Sequence, residues 1–442
     1  MTQISPYNVS TTAYFARCCR VLAVLITLVA GTVVAHWRTA IHLDTPKAAP
    51  AQAWSRYSTT VRWDDNEEFA SVLEQSAESL RSGKLFVPIS DFDCPLSFLL
   101  PGGLVILATD WPPMRVMNLF GATATFLSGV AAFALFRRLG AAVSPACVAA
   151  LGYQTMNFVC FSQQQGHMNY VQLTWIPWAF TSIISLLKDP TRWRPAIWLG
   201  LAMGGQLLSS PSFALYLSYV GLPVIVLVYL ISTHDSKAAT FRNILLLLAR
   251  GLLAVSIAVA ISAVYLVPRL STLPRHFPRP LSDAHAFVLL DPALLVDSAH
   301  PMLFLGWPIL VAGLFAIRWW YTDRTPERNA VVAAMIASFV MMFPARFGLP
   351  YWAMWRFAPM IDHLRVPARF FPMFQLLLLG LISVYMTKCW SKQWKPTVAL
   401  LITLIVGNWL SSPWLIDFDI YTALDGIGRR LQWFTGFNLG VN

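Results

Sequence analysis

The chain has 442 residues, 57% of them hydrophobic and only 12% charged. Soluble domains carry about a quarter charged residues, so the composition reads as an integral membrane protein. The formal net charge of +11 does not signal nucleic acid, because 18 Trp, 28 Phe and long apolar runs leave little chain for a soluble basic domain; six Cys are also too sparse for a disulfide scaffold.

A hydrocarbon core needs about 20 mostly apolar residues per helix. Eleven membrane helices are expected, at 20–37, 115–136, 141–161, 171–187, 195–210, 211–232, 244–267, 302–317, 330–344, 371–387 and 396–411. They form one transmembrane domain, 20–411, between a cytoplasmic N-terminus, 1–19, and an extracytoplasmic tail, 412–442. The first helix does not read as a cleaved leader, because His36, Trp37 and Arg38 stand where a small-x-small site would be.

Every second connection is short and basic: Arg137-Arg138, then Lys188 with Arg192 and Arg194, then Lys237 with Arg242, then Arg318, Arg324 and Arg328, then Lys388, Lys392 and Lys395. Such connections stay in the cytoplasm. Sixteen of the 32 Lys and Arg fall inside with four of the 21 acids, which gives +12 inside and −1 outside. The net charge is therefore a signal of sidedness. No acid lies well within a span, which speaks against ion-coupled transport.

The long outer segments are 38–114, 268–301, 345–370 and the tail. Within the first, residues 66–82 predict an amphipathic helix with Phe69, Val72, Leu73, Ala77 and Leu80 on one face. Gly83 closes it, and a membrane surface is its expected seat. Asp64-Asp65 precede it. Asp91-Phe92-Asp93 follows, and then the apolar stretch 94–111, which Pro95, Pro101 and Gly102-Gly103 interrupt. Counting that stretch as a span would invert all later loops, so an interfacial or re-entrant segment is expected. Gly102-Gly103 and Gly204-Gly205 read as packing or hinge glycines. The Cys show no metal-ligand spacing. The only N-x-S/T sequon, Asn8-Val9-Ser10, falls inside, so a bacterial inner membrane is the simplest setting.

The order of these features resembles the GT-C superfold of membrane glycosyltransferases, and most closely its bacterial, largely uncharacterised branch. The matching features are an N-terminal span, a long outer loop with an early acidic pair and a helix ending in Gly, a second span ending in Phe-Arg-Arg-Leu-Gly, the turn Gly166-His167-Met168-Asn169, and the string Leu364 to Phe370. The layout covers roughly residues 15–390. The resemblance implies transfer of a sugar from a polyprenyl-phosphate donor to an extracytoplasmic glycan, lipid or protein acceptor, with a first-loop Asp as base. That role maps onto Asp64 or Asp65. Some members bind a divalent cation such as Mg or Mn through acids in the second outer loop. Residues 162–170 have none, so metal dependence stays open unless Asp91, Asp93 or His167 substitute.

Each of these residues also has a plainer reading. Asp65-Asn66-Glu67-Glu68 fits a capping box. Asp91 and Asp93 fit a loop turn as well as a metal or sugar site. His167 and Asn169 fit a helix–helix turn as well as sugar or phosphate contacts. Arg365 and Arg369 suit phosphate oxygens, and equally lipid headgroups or pairing with Asp362. Two rival functions remain: an O-antigen-polymerase-like or ligase-like enzyme, and a glycan or lipid transporter, the latter without any ATP-binding motif.

Overall fold

The computed structural model describes residues 11–36, 65–83, 96–156, 158–159, 171, 173–233, 241–272, 305–343, 349–358 and 367–390. Among them the chain is helical throughout, without strands. In chain order the helices are α1 (Thr11–Ala35), α2 (Asp65–Arg81), α3 (Leu96–Thr109), α4 (Pro113–Leu139), α5 (Val143–Gln154), α6 (Trp175–Lys188) and α7 (Arg194–Ser209). Then come α8 (Pro211–Ser232), α9 (Phe241–Thr272), α10 (Trp307–Thr322), α11 (Pro326–Met342), α12 (Leu349–Phe357) and α13 (Phe371–Trp390). Of the eleven expected spans, 396–411 lies outside the described residues; the other ten positions each hold a helix.

Four stretches are long and apolar enough to cross a membrane: Pro113–Leu139, Pro211–Ser232, Phe241–Ala263 and Phe371–Cys389. Their outer surfaces agree with a lipid solvent. Leu245, Leu248, Leu252, Val255 and Val259 form one exposed stripe on α9, and Leu22, Ile26, Val29 and Val33 another on α1. Apolar stripes of this kind are rare on proteins that face water. The chain is a helical membrane protein.

The helix boundaries follow local chemistry. Pro113 opens α4, and Gly140 closes it at φ 102°. There the Ala141 N–H bonds Phe136 O and the Gly140 N–H bonds Arg137 O, the paired 6→1 and 5→2 bonds of a Schellman cap. Thr325 caps α11 by accepting from the Arg328 N–H, with Pro326 in the first turn, so this helix begins four residues before the expected 330. Gly306 at φ 88° followed by Pro308 in the first turn starts α10 at Trp307, five residues later than expected. Helix α5 ends at Gln154, short of the expected 161.

α13 is the axis of the bundle, with 83% of its span buried. It packs on α4, α5, α10 and α11. α9 is its opposite: 11% of its span is buried, and its main neighbour is α7. The two approach through Gly200 and Gly204, where an added Cβ would stand 2.7 Å from Ile257 Cβ and 3.0 Å from Ile261 Cβ. Small residues four apart allow such close backbone contact. α8 is not uniform, since Leu217–Gly221 forms a π turn between two α-helical pieces.

The amphipathic helix of the first long loop forms as α2. Leu73 and Ala77 are buried and Glu74 and Glu78 are exposed, while Gly83 adopts φ 75° and its N–H bonds Leu80 O. Its apolar face differs from the expectation in what covers it. It packs on α3 and α4, and the Gly102-Gly103 pair lets α2 approach until a Cβ on Gly103 would meet Ser76 Oγ at 2.9 Å. Protein therefore covers this face where lipid was expected. α3 itself has 14 residues with Pro101 inside. At 1.5 Å per residue it reaches about 21 Å, short of the roughly 30 Å hydrocarbon core.

Candidate functional site

The short basic connections gather at one end of the bundle. Lys188 pairs with Glu327 at 3.3 Å and its ammonium donates to Arg138 O. Asp323 pairs with Arg328 at 2.9 Å and Lys388 at 3.4 Å. The Arg137 guanidinium donates to Ala141 O, and the Ala142 N–H to the Thr387 hydroxyl. Burial pushes the Glu327 carboxyl upward, but its own backbone N–H, Lys188 and Thr325 outweigh that and hold it below the ordinary range. The same opposition, with Arg328 and Lys388 as the cations, holds Asp323 low.

The opposite end holds the chemistry expected of a site. Here Ser209, Ser210 and Ser212 surround the tight turn from α7 to α8, and all three are buried. The Arg369 guanidinium, from the one-turn helix Pro367–Phe370 that leads into α13, donates to Ser212 Oγ at 2.7 Å. Arg369 is half-buried. The Trp175 indole N–H donates to Ser209 Oγ at 3.0 Å, bringing the start of α6 to the same turn. A Cβ on Gly205 would meet the Trp175 ring at 2.5 Å, so that glycine lets the indole lie against α7.

Aromatic groups complete the surroundings. The Tyr216 and Phe370 rings lie 4.2 Å apart. Burial pushes the Tyr351 phenol of α12 up to about 12, and the neighbouring Tyr216 offsets part of that rise. Tyr351 is therefore neutral at any physiological pH. One turn before Ser210, the fully buried Gln206 has neither amide atom hydrogen-bonded among the described residues. Chemically the described residues at this end offer a hydrogen-bonded guanidinium, several hydroxyls and an unused amide, a set suited to an anionic, oxygen-rich ligand.

A second buried polar group joins α1, α4 and α5. Gln154 Nε2 lies 3.2 Å from each of Leu28 O, Thr32 Oγ1 and Thr125 O. His36 Nε2 lies 2.8 Å from Thr125 Oγ1. No Asp, Glu, Lys or Arg is buried among the described residues; the interior polar groups are amides, hydroxyls and this one imidazole.

Of the predicted site residues, Arg369 is brought into the serine-lined turn. Asp65 is the first residue of α2, one place inside the cap position expected for it. Asp64, Asp91, Asp93, His167, Asn169 and Arg365 lie outside the described residues. No group of three His, Cys, Asp or Glu suited to a metal gathers among the described residues. Ser212 was not legible as the partner of Arg369, nor Trp175 as that of Ser209. The one available signal was the Ser209-Ser210-Pro211-Ser212 cluster, polar residues between two apolar runs. No protein-family model matches the chain, and no curated protein matches it either.

Proposed function

We propose that the chain is a GT-C-like glycosyltransferase of a bacterial inner membrane with about eleven spans, its N-terminus cytoplasmic and its C-terminus outside. It moves a sugar from a polyprenyl-phosphate donor to an extracytoplasmic glycan, lipid or protein acceptor. The observation that carries this reading is Arg369, a half-buried guanidinium anchored by Ser212 at the end of the bundle remote from the basic connections. The lack of a buried Asp, Glu, Lys or Arg among the described residues weighs against an ion-coupled transporter.

In this reading the acceptor hydroxyl oxygen attacks the anomeric carbon while the bond from that carbon to the phosphate oxygen breaks. Asp64 or Asp65 takes the hydroxyl proton, and the electron pair leaves on the lipid phosphate. Arg369, with Arg365, stabilises that growing negative charge where it appears. His167 and Asn169 donate to sugar or phosphate oxygens, and Asp91 and Asp93 accept from sugar hydroxyls. A divalent cation (Mg or Mn), if bound, would add charge stabilisation on the same phosphate.

The test is transfer from a polyprenyl-phosphate sugar in membranes that contain the protein. Asp64→Asn, Asp65→Asn and their combination address the base. Arg369→Gln is expected to lower turnover by about 10²–10³, as loss of a transition-state donor does elsewhere, and Arg369→Lys to restore part of it. Full transfer by the double Asn variant refutes the base. Unchanged turnover in Arg369→Gln refutes the phosphate site.

A further inference from the structure

At the end of the bundle that holds the basic connections, an open groove of about 360 Å³ runs between the end of α6 and the start of α7. Arg138, Arg192 and Arg194 stand around it with Asp189, and the Trp178 and Trp198 side chains form its apolar part. The two indoles stack with ring centroids 6.4 Å apart. Asp189 is already engaged by Arg192 at 2.7 Å and accepts from the Thr191 hydroxyl. Arg138 and Arg194 make no ion pair among the described residues, so two guanidinium charges at the groove are left without a counter-ion.

We propose that this groove binds an anionic glycerophospholipid, its phosphate between Arg138 and Arg194 and one acyl chain along the Trp178–Trp198 face. The division of labour fits such a ligand. Guanidinium forks match phosphate oxygens, and tryptophans belong where an apolar chain meets headgroups. Trp198 is 61% exposed and Trp193, next to Arg194, is 53% exposed. Both are costly in water and at home in the interfacial layer. The groove is also remote from Ser212 and Arg369, so its occupant is a structural lipid, separate from the donor of the proposed reaction.

The experiment uses the full chain purified in detergent. It measures retained lipid by native mass spectrometry, with phosphatidylglycerol against phosphatidylcholine of the same acyl chains, and adds inorganic phosphate in a separate arm. The expected result is a preference for phosphatidylglycerol of about tenfold, the scale of the attraction that a few basic residues exert on anionic lipid. Arg138→Gln with Arg194→Gln should bring it to the phosphatidylcholine level. Arg242→Gln with Arg318→Gln removes the same charge from exposed positions outside the groove and should leave the preference in place. Trp198→Ala, at a position 61% exposed, should weaken retention of both lipids. Equal retention of the two lipids overturns the proposal, as does equal loss in the two Arg pairs. Displacement of phosphatidylglycerol by inorganic phosphate overturns it in favour of a free-anion site, and unchanged retention in Trp198→Ala removes the acyl-chain half.

Discussion

Gly200→Ala should loosen α9 against the bundle. The added Cβ would lie 2.7 Å from Ile257 Cβ and 2.8 Å from the Ala254 carbonyl oxygen. Carbon atoms prefer about 3.5–4.0 Å, so the overlap approaches about 1 Å. The Ala254 oxygen belongs to the backbone and cannot rotate aside, so the two helices must separate along the seam that buries Ala254 and Ala258. Overpacking of this kind costs about 1–3 kcal/mol, and the better helix propensity of Ala returns up to about 1 kcal/mol of it. With the full propensity gain, a net loss of up to about 2 kcal/mol is expected. The comparison is Gly251→Ala on α9, where nothing lies within 4 Å of the new Cβ and the same propensity gain is unopposed. Reversible denaturation in mixed micelles reads the stability difference, and hydrogen exchange over residues 241–263 reads the release of α9. Equal stability of the Gly200→Ala and Gly251→Ala proteins would refute this account of the α7–α9 seam.

Gln154→Ala should lower stability by about 2 kcal/mol, from lost hydrogen bonds and a small cavity together, and loosen α1, which hydrogen exchange over residues 18–33 would show. Gly103→Ala should displace α2 from α3, because the new Cβ meets the Ala77 backbone nitrogen at 3.2 Å; faster proteolysis within residues 65–83 is the readout. Glu327 has a carboxyl held below its ordinary 4.5 in the folded protein. Its contribution is complete at neutral pH and is lost as pH falls below 4.5 through the folded value. Glu327→Gln should therefore lower stability by up to about 1 kcal/mol at pH 7 and flatten its acid limb, and parallel pH profiles for the two proteins would contradict the pairing with Lys188.

Local signals were legible wherever one short stretch of chain decides the outcome. The 3/4 spacing of Leu73, Ala77 and Leu80 with Gly83 after them marks α2, and Pro211 marks the start of α8. The Gly102-Gly103 and Gly204-Gly205 pairs announce close packing, though each glycine's partner does not show in sequence. Gly306 shifts α10 because a positive φ at that residue is a property of the folded turn. The site was less legible for a different reason. Arg369 and Ser212 are 157 positions apart, and the packing of α11 against both α8 and the turn before α13, together with the direct contact of those two elements, brings them together. Arg369 was readable as a phosphate ligand by its chemistry; its anchor was not. Gln154 stands at a helix end, and its role appears only when α1 and α4 converge on it.

The π turn at Leu217–Gly221 divides α8 into two rotational registers. An α-helix advances about 100° per residue, and a π turn inserts one residue beyond the normal count. Side chains after Gly221 therefore stand about 100° from where an unbroken helix begun at Ser212 would place them. Before the turn, Ser212 and Tyr216 meet Arg369 and Phe370. After it, Ile225 and Tyr229 are buried, and this half of α8 packs on α11. One helix thus serves the polar turn and the scaffold on different azimuths, and deletion of the exposed Ser218 would swing one against the other without removing any of these side chains.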